Sequence, residues 1–242
     1  VKHLERRTVD MSNHESSGAG KQPFAVEAEP PIAAQLFGDN IVQARRFAAD
    51  LAEDGELRGL IGPSEYPRLW TRHIVNSVLL APLLRESVAD VGSGAGLPGI
   101  PLAIARPDVA FTLIEPMERR TTWLNDVVER LALKNVTILR ARAEDVHDDV
   151  AVQQVTARAV SAMSKLIPLT APLAVAGGEL LLLKGRAAET EIDKASKVIR
   201  KYRLSEVRVE ELGEGLDTEP TRVVRALVDA EVGASQDLTE DR

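Results

Sequence analysis

No cysteine occurs anywhere in the 242 residues. That absence removes disulfides, zinc–thiolate clusters and thiol nucleophiles, and it suits a reducing compartment such as the cytoplasm. With only 4 histidines besides, no metal centre is expected. Aromatic residues make up 3% of the chain, too few for an open platform that stacks unpaired bases. No apolar run reaches the 18 or so residues of a membrane span. The first residues are polar and lack an apolar stretch behind a basic start, so they do not read as a secretory leader.

What remains is an ordinary globular composition, 44% hydrophobic and 28% charged. The formal net charge is −7, but residues 1–29 carry −1 of it and residues 229–242 carry −4, which leaves −2 between them. A local basic face fits on such a body. Overall acidity therefore leaves an RNA substrate open while arguing against loose, charge-driven coating of nucleic acid.

Four segments are predicted. Residues 1–30 mix Ser, Gly, Asn, Glu and Pro without hydrophobic periodicity and read as a disordered tail. Residues 31–86 read as a helical cap. Within it Ala33, Leu36, Phe37, Ile41, Ala44, Phe47, Ala48 and Leu51 recur at three- and four-residue spacing and predict one long amphipathic helix. Gly55, Gly59, Gly62 and Pro63 end it, and a second helix is predicted from about Ser64 with Leu69, Trp70, Ile74 and Val78 on one side. Residues 87–230 alternate short apolar strands with helices, and residues 231–242 form an acidic tail.

The alternation is regular. Val88–Val91, Phe111–Ile114, Val136–Leu139, Gln154–Val160 and Leu180–Leu183 read as strands, separated by helices over Pro98–Ala105, Arg119–Leu131, a span through Leu166 and Leu173, and Glu189–Tyr202. Strands this apolar are covered on both faces, which predicts an α/β fold with a mostly parallel, Rossmann-like sheet. The stretches Leu204–Leu212 and Arg222–Val228 follow one another without a helix and predict an antiparallel pair at one edge.

Folds of this type bind ligands beyond the C-terminal ends of the strands. The first strand ends in Gly92-Ser93-Gly94-Ala95-Gly96-Leu97-Pro98-Gly99, a bend where a Cβ would obstruct the backbone and its ligand. The second ends in Glu115, placed to accept hydrogen bonds from the two ribose hydroxyls of an adenosine. A pyrophosphate-binding G-x-G-x-x-G would need glycine where this chain has Leu97, so S-adenosylmethionine is preferred to a nicotinamide dinucleotide. Glu144, after the third strand, reads first on composition as a solvated acidic turn; the alternative is that it holds the adenine region with the backbone of Ala143. Arg158 ends the fourth strand, where an ion pair and a role toward the methionine part or target base are equal readings.

The run Asp90-Val-Gly-Ser-Gly-Ala-Gly-Leu-Pro-Gly-Ile-Pro-Leu102, with Thr156-Ala-Arg158-Ala, Leu183-Lys184-Gly185 and Leu69-Trp-Thr-Arg72-His73-Ile-Val-Asn76-Ser77, resembles the RsmG (GidB) family of bacterial small-subunit rRNA guanine-N7 methyltransferases. The likeness runs from about Ala34 to Val228. It implies a class I S-adenosylmethionine-dependent methyltransferase fold, with a seven-stranded sheet and a helical N-terminal cap. The implied reaction is methyl transfer to N7 of guanine 527 in the 530 loop of 16S rRNA, within the small ribosomal subunit. The implied cofactor contacts are Gly92, Leu97, Ala143, Glu144 and Arg158, joined on the residue-level reading by Gly94, Gly96 and Glu115. Asn76 departs from the family, which usually has Asp there, and the family's acid after the second strand is variable.

The chemistry agrees with the resemblance. Attack at a pyrimidine C5 commonly needs a cysteine, and none exists. Enzymes that methylate exocyclic amines carry an Asn/Asp-Pro-Pro-aromatic segment after the fourth strand, where this chain reads Ala157-Arg158-Ala159-Val160-Ser161. Guanine N7 already has an exposed lone pair and needs no base, only alignment. The base gains positive charge on methylation, so Arg158 is expected to hold phosphate, O6 or the cofactor carboxylate rather than N7. For RNA phosphates the candidates are Arg119, Arg120, Arg140, Arg142, Lys165, Lys184 and Arg186. The run Lys197, Arg200, Lys201 and Arg203 reads first as a solvated helix face. His73 and Trp70 can cap the cleft, with core packing an equal reading for Trp70. The competing functions are a small-molecule methyltransferase, a cofactor-holding protein without chemistry and, more distantly, a dehydrogenase.

Overall fold

A computed structural model describes residues 25–158 and 161–229. The expected tail before residue 25 and the acidic segment 231–242 lie outside the described residues. The chain first forms α1 (Pro31–Phe37), a 3-10 turn (Gly38–Asn40) and α2 (Ile41–Asp54). One continuous helix was expected here. It is interrupted because Gly38 takes φ 52° and ψ −129°, a conformation that costs glycine little and closes the first helix.

The second cap segment also departs from a plain α-helix. A 3-10 stretch, Pro63–Arg68, leads into a π-helical stretch, Leu69–Val75, and then into the short α3 (Asn76–Val78). Pro67 lies inside the 3-10 stretch and cannot donate a backbone hydrogen bond. Among the described residues no helix is long and apolar enough to cross a membrane.

From residue 87 the elements run β1 (Ser87–Val91), α4 (Gly99–Ala105), β2 (Ala110–Ile114), α5 (Glu118–Arg130), β3 (Val136–Leu139), β4 (Val152–Arg158) and α6 (Met163–Thr170). They continue with β5 (Ala174–Lys184), α7 (Ala188–Lys194), α8 (Ser196–Lys201), β6 (Leu204–Leu212) and β7 (Thr221–Val228). The expected single helix over 189–202 is therefore two, parted at Ala195. The seven strands form one sheet in the order β3-β2-β1-β4-β5-β7-β6. β1 pairs in parallel with β2 and β4, and the closing pair is antiparallel, with β7 between β5 and β6.

Because successive strand residues face opposite ways, the leucine run of β5 serves two cores. Leu181 and Leu183 join Val88, Phe111, Leu113 and Val223 on the face covered by α4, α5 and the cap helices. Leu180 and Leu182 join Ala89, Val155, Ala157 and Val224 on the face covered by α6, α7 and α8. The cap shares the first core: Phe47, Leu51, Leu69, Trp70 and Ile74 pack in one cluster with Ile100, Leu102 and Trp123.

At the sheet end near the start of β1, Glu179 is 2% exposed and accepts from Arg225 (2.7 Å), Gln154 (3.0 Å) and Arg85 (3.2 Å). Removing one member of a buried charge pair strands the other. Glu179→Ala is expected to cost about 3 kcal/mol of stability, read as a lowered urea midpoint, with cofactor affinity unchanged at the far end of the sheet.

Candidate functional site

The bend after β1 is built on glycine backbones in the left-handed region: Gly92 at φ 71°, Gly94 at 57° and Gly96 at 95°. A Cβ on Gly96 would lie 2.6 Å from Ile100 Cγ1, so that glycine answers to packing inside the fold. A Cβ on Gly94 would meet nothing closer than 3.7 Å. Such a Cβ would sit in ordinary contact with Gly92 O and Arg120 Nη1, so at Gly94 only the dihedral requires glycine.

Two buried carboxylates hold the bend. Asp90 Oδ2 accepts the Gly99 N–H at 3.1 Å, and Glu115 accepts the N–H of Gly94 at 3.0 Å and of Met117 at 2.9 Å. Trp123, fully buried in α5, donates its indole N–H to Ala95 O at 3.0 Å. The guanidinium groups of Arg58 and Arg130 lie 5.6 and 5.5 Å from the centre of its ring. Those arginines pair in turn with Asp54 and Asp50 of α2, so the cap braces the bend from behind. Burial raises the Asp90 carboxyl to about 7, against the hydrogen bond from Gly99 N–H and the charge of Arg158. Asp90 Oδ1 is buried without a hydrogen-bond partner.

At the end of β4, Arg158 reaches back to the cap. It donates to His73 Nδ1 at 2.8 Å and to Arg72 O at 3.2 Å. Arginine has no acceptor, so Nδ1 carries the lone pair and the ring proton sits on Nε2, which faces Glu65 Oε2 at 2.8 Å. Burial, with the neighbouring Arg158 charge, lowers the His73 ring to about 4 while Glu65 opposes the shift. Burial lowers Arg158 to about 10, which leaves it charged at neutral pH.

Beyond Arg158 opens a pocket of about 1030 Å³, at the C-terminal ends of β4 and β5 and the start of β7. Its cations are Arg72, Arg158, Lys184, Arg186 and Arg222, and its acids Glu191 and Glu219.

The structure brings Gly92, Gly94, Gly96, Leu97 and Glu115 together around the bend. Leu97 is buried, and Glu115 is turned to the chain's own backbone. Ala143 is buried at the start of a 3-10 turn after β3, with Glu144 exposed beside it. Among the basic residues, Lys184 and Arg186 line the pocket, but the Lys184 ammonium is turned to Ser161 O and Glu191. Arg120 lies 3.7 Å from Glu115, Arg119 rests beside Gly59 of the cap, and Arg140 pairs with Glu118. Arg142 and Lys165 are exposed away from the pocket lining. His73 is buried at the pocket wall, whereas Trp70 lies in the core. Sequence reasoning missed Glu65, Arg222, Glu219 and Trp123. None belongs to a local pattern, because each reaches its partner across the fold.

The model of the GidB family, rRNA small subunit methyltransferase G, matches residues 40–221. The chain belongs to this family. The ribosomal RNA small subunit methyltransferase G of Clavibacter michiganensis subsp. michiganensis is 61% identical over 208 residues, covering 86% of this chain and 99% of that protein. Its counterpart from Leifsonia xyli is 62% identical over 84% of this chain and 98% of that protein. Among solved structures, M. jannaschii TYW2 in complex with AdoMet superposes with a TM-score of 0.51 at 20% identity, covering 65% of this chain and 76% of that one. A protein from Corynebacterium glutamicum superposes with a TM-score of 0.52 at 19% identity, over 83% of this chain and 95% of that one. Both structural likenesses show the fold, that of class I methyltransferases.

A GidB-family methyltransferase takes its methyl group from S-adenosylmethionine. The bend fits that cationic molecule: two carboxylates lie at its base, and Asp90 Oδ1 is a buried acceptor without a hydrogen-bond partner.

The His73 arrangement carries a pH signature. The unfolded chain takes up this proton near 6.5, the folded chain only near 4. Acid between those values therefore favours unfolding, and the stability is present above 6.5 and lost as the pH falls toward 4. Wild type should lose stability relative to His73→Phe over that window, in paired urea titrations. NMR should find the ring neutral with its proton on Nε2 at pH 6; a ring half-titrated near 6.5 contradicts the geometry.

Proposed function

We propose that this chain transfers the methyl group of S-adenosylmethionine to N7 of a guanine in the 530 loop of 16S rRNA, guanine 527, within the small ribosomal subunit in the cytoplasm. The observation that carries this reading is the pocket at the C-terminal ends of β4 and β5, one strand along the sheet from the glycine bend after β1, large enough for a nucleotide and lined by Arg72, Arg158, Arg186 and Arg222 together with Glu191 and Glu219. The names of the relatives, which act on small-subunit rRNA, support the substrate class.

S-adenosylmethionine supplies an electrophilic methyl carbon when bound. The bend at Gly92, Gly94, Gly96 and Leu97 is the proposed seat of the cofactor, with Glu115 toward the ribose and Ala143 and Glu144 toward the adenine. Glu115 already accepts two backbone hydrogen bonds, and each of its oxygens has a further lone pair to offer. N7 brings its own lone pair, so the transfer is a direct in-line displacement with no covalent enzyme intermediate, and no residue need remove a proton. The cationic product is served best by a protein that keeps its own positive charges off N7. Arg158 meets that condition: tied to His73 and the Arg72 carbonyl, its guanidinium is held in place with N–H groups left for phosphate, O6 or the cofactor carboxylate.

Labelled cofactor incubated with unmodified small subunits should place the label on N7 of one guanine, mapped by strand cleavage at 7-methylguanosine. Label on a metabolite but on no RNA would favour the small-molecule reading instead. Arg158→Ala should lower kcat/KM by about 10²-fold; full cofactor affinity together with full turnover would remove Arg158 from the site. Glu115→Gln should weaken cofactor binding by about tenfold, read by calorimetry, with a much smaller change in RNA affinity.

A further inference from the structure

One charged surface takes no part in folding or in the pocket. Lys194, Lys197, Arg200, Lys201 and Arg203 are exposed along α7, α8 and the turn after them. The opposite side of the same helices is buried: Ala188 and Ala195 are in the second core, with Ile192, Val198, Ile199 and Tyr202 packed against it. Lys197, Arg200 and Lys201 follow the i, i+3, i+4 spacing of one face of α8, with Lys194 at the end of α7 and Arg203 in the turn after α8. Exposed helices commonly interleave acids one turn from such cations. Residues 194–205 contain no Asp or Glu at all, and among the described residues no carboxylate lies within 4 Å of any of the five cations. This concentration of unpaired charge stands in a chain of net charge −7.

Position gives the stripe its meaning. α7 begins four residues beyond the end of β5, beside Arg186 on the pocket rim. β6, parallel to β5, begins at Leu204, so α7 and α8 descend from the pocket edge of the sheet to its opposite edge. At 1.5 Å per residue α7 is about 10 Å long and α8 about 9 Å. We propose that this stripe is a second RNA-binding surface, which grips phosphates of the folded rRNA away from the target loop. The inference rests on the rRNA reading given above and adds a consequence to it: the enzyme needs a substrate large enough to reach from the pocket to Arg203. A polyanion with closely spaced, solvent-facing charges matches five flexible cations at helical spacing.

The test compares full-length wild type with Lys197→Gln/Arg200→Gln/Lys201→Gln, whose substituted side chains are exposed, the Lys201 ammonium lying 5.6 Å from the centre of the Tyr202 ring. A control variant, Arg45→Gln/Lys134→Gln/Arg208→Gln, makes the same change in net charge elsewhere on the surface. Binding to 16S rRNA and to the small subunit is followed as a function of salt, alongside methyl transfer. For the stripe variant, RNA affinity should fall about tenfold and the slope of log K against log salt should flatten by about 2. Cofactor affinity and kcat at saturating RNA should match wild type, and the control should keep the wild-type slope. A short hairpin carrying only the target loop should bind wild type and stripe variant equally. An unchanged affinity and slope for the large RNA overturns the proposal, as does an equal loss in the control. That same null result is expected if the occupant is the chain's own acidic segment 231–242, which follows β7 where Asp229 N donates to Arg203 O. Failure of the rRNA reading is separate: wild type itself would then place no methyl group on 16S rRNA, while the salt slopes would still decide whether the stripe binds RNA.

Discussion

Two carboxylates with almost no access to water decide the shape of the glycine bend after β1. Asp90 and Glu115 accept backbone N–H groups from Gly99, Gly94 and Met117, and so help hold a stretch of chain in which every second residue from Gly92 to Gly96 is glycine. Left-handed glycines are cheap to place but also cheap to displace. Without outside acceptors the bend would sample many paths. The cost is electrostatic, since burying Asp90 raises its proton affinity to about 7. That places at the base of the bend a group whose charge answers to whatever cation lies next to it.

The same edge is stiffened from the cap. Glu65, His73 and Arg158 form a line of three polar groups from the cap to the end of β4, and Trp123 links α5 to Ala95 while α2 supplies the acids that pair with its flanking arginines. The helices before residue 87 therefore do more than cover one face of the sheet. Their residues complete the wall of the pocket and back the bend, which explains why cap and sheet share one hydrophobic cluster. A π-helical stretch at Leu69–Val75 fits this duty, because wide turns of this kind often occur where side chains are directed at a function.

Much of the architecture was legible because its causes are local. Apolar runs such as Val136–Leu139 and Leu204–Leu212 became strands at those bounds, and the missing helix between the last two strands correctly implied an antiparallel pair. The glycine bend was legible because backbone conformation leaves its mark in residue choice. Gly38 was not seen as a helix stop, since the hydrophobic spacing continues across it, and Ala195 gives no hint that it parts α7 from α8. The pocket was legible only in part. His73, Arg158 and Lys184 stand within motifs, but Glu65, Arg222 and Glu219 come from three distant places. Lys184 shows the limit in the other direction: its position was foreseen, yet its ammonium is engaged by Ser161 and Glu191, a fact of packing that no spacing encodes.

The strand order has a consequence in time. β7 is the last of the described strands to be synthesised, yet it lies between β5 and β6 and brings Thr221 and Arg222 to the pocket. Until it is made, β5 has an open edge and β6 has no neighbour to pair with, so a nascent chain that stops before residue 221 has neither a closed sheet nor a finished pocket wall. Maturation is thereby tied to completion: a truncated product of translation is left exposed to proteolysis and aggregation.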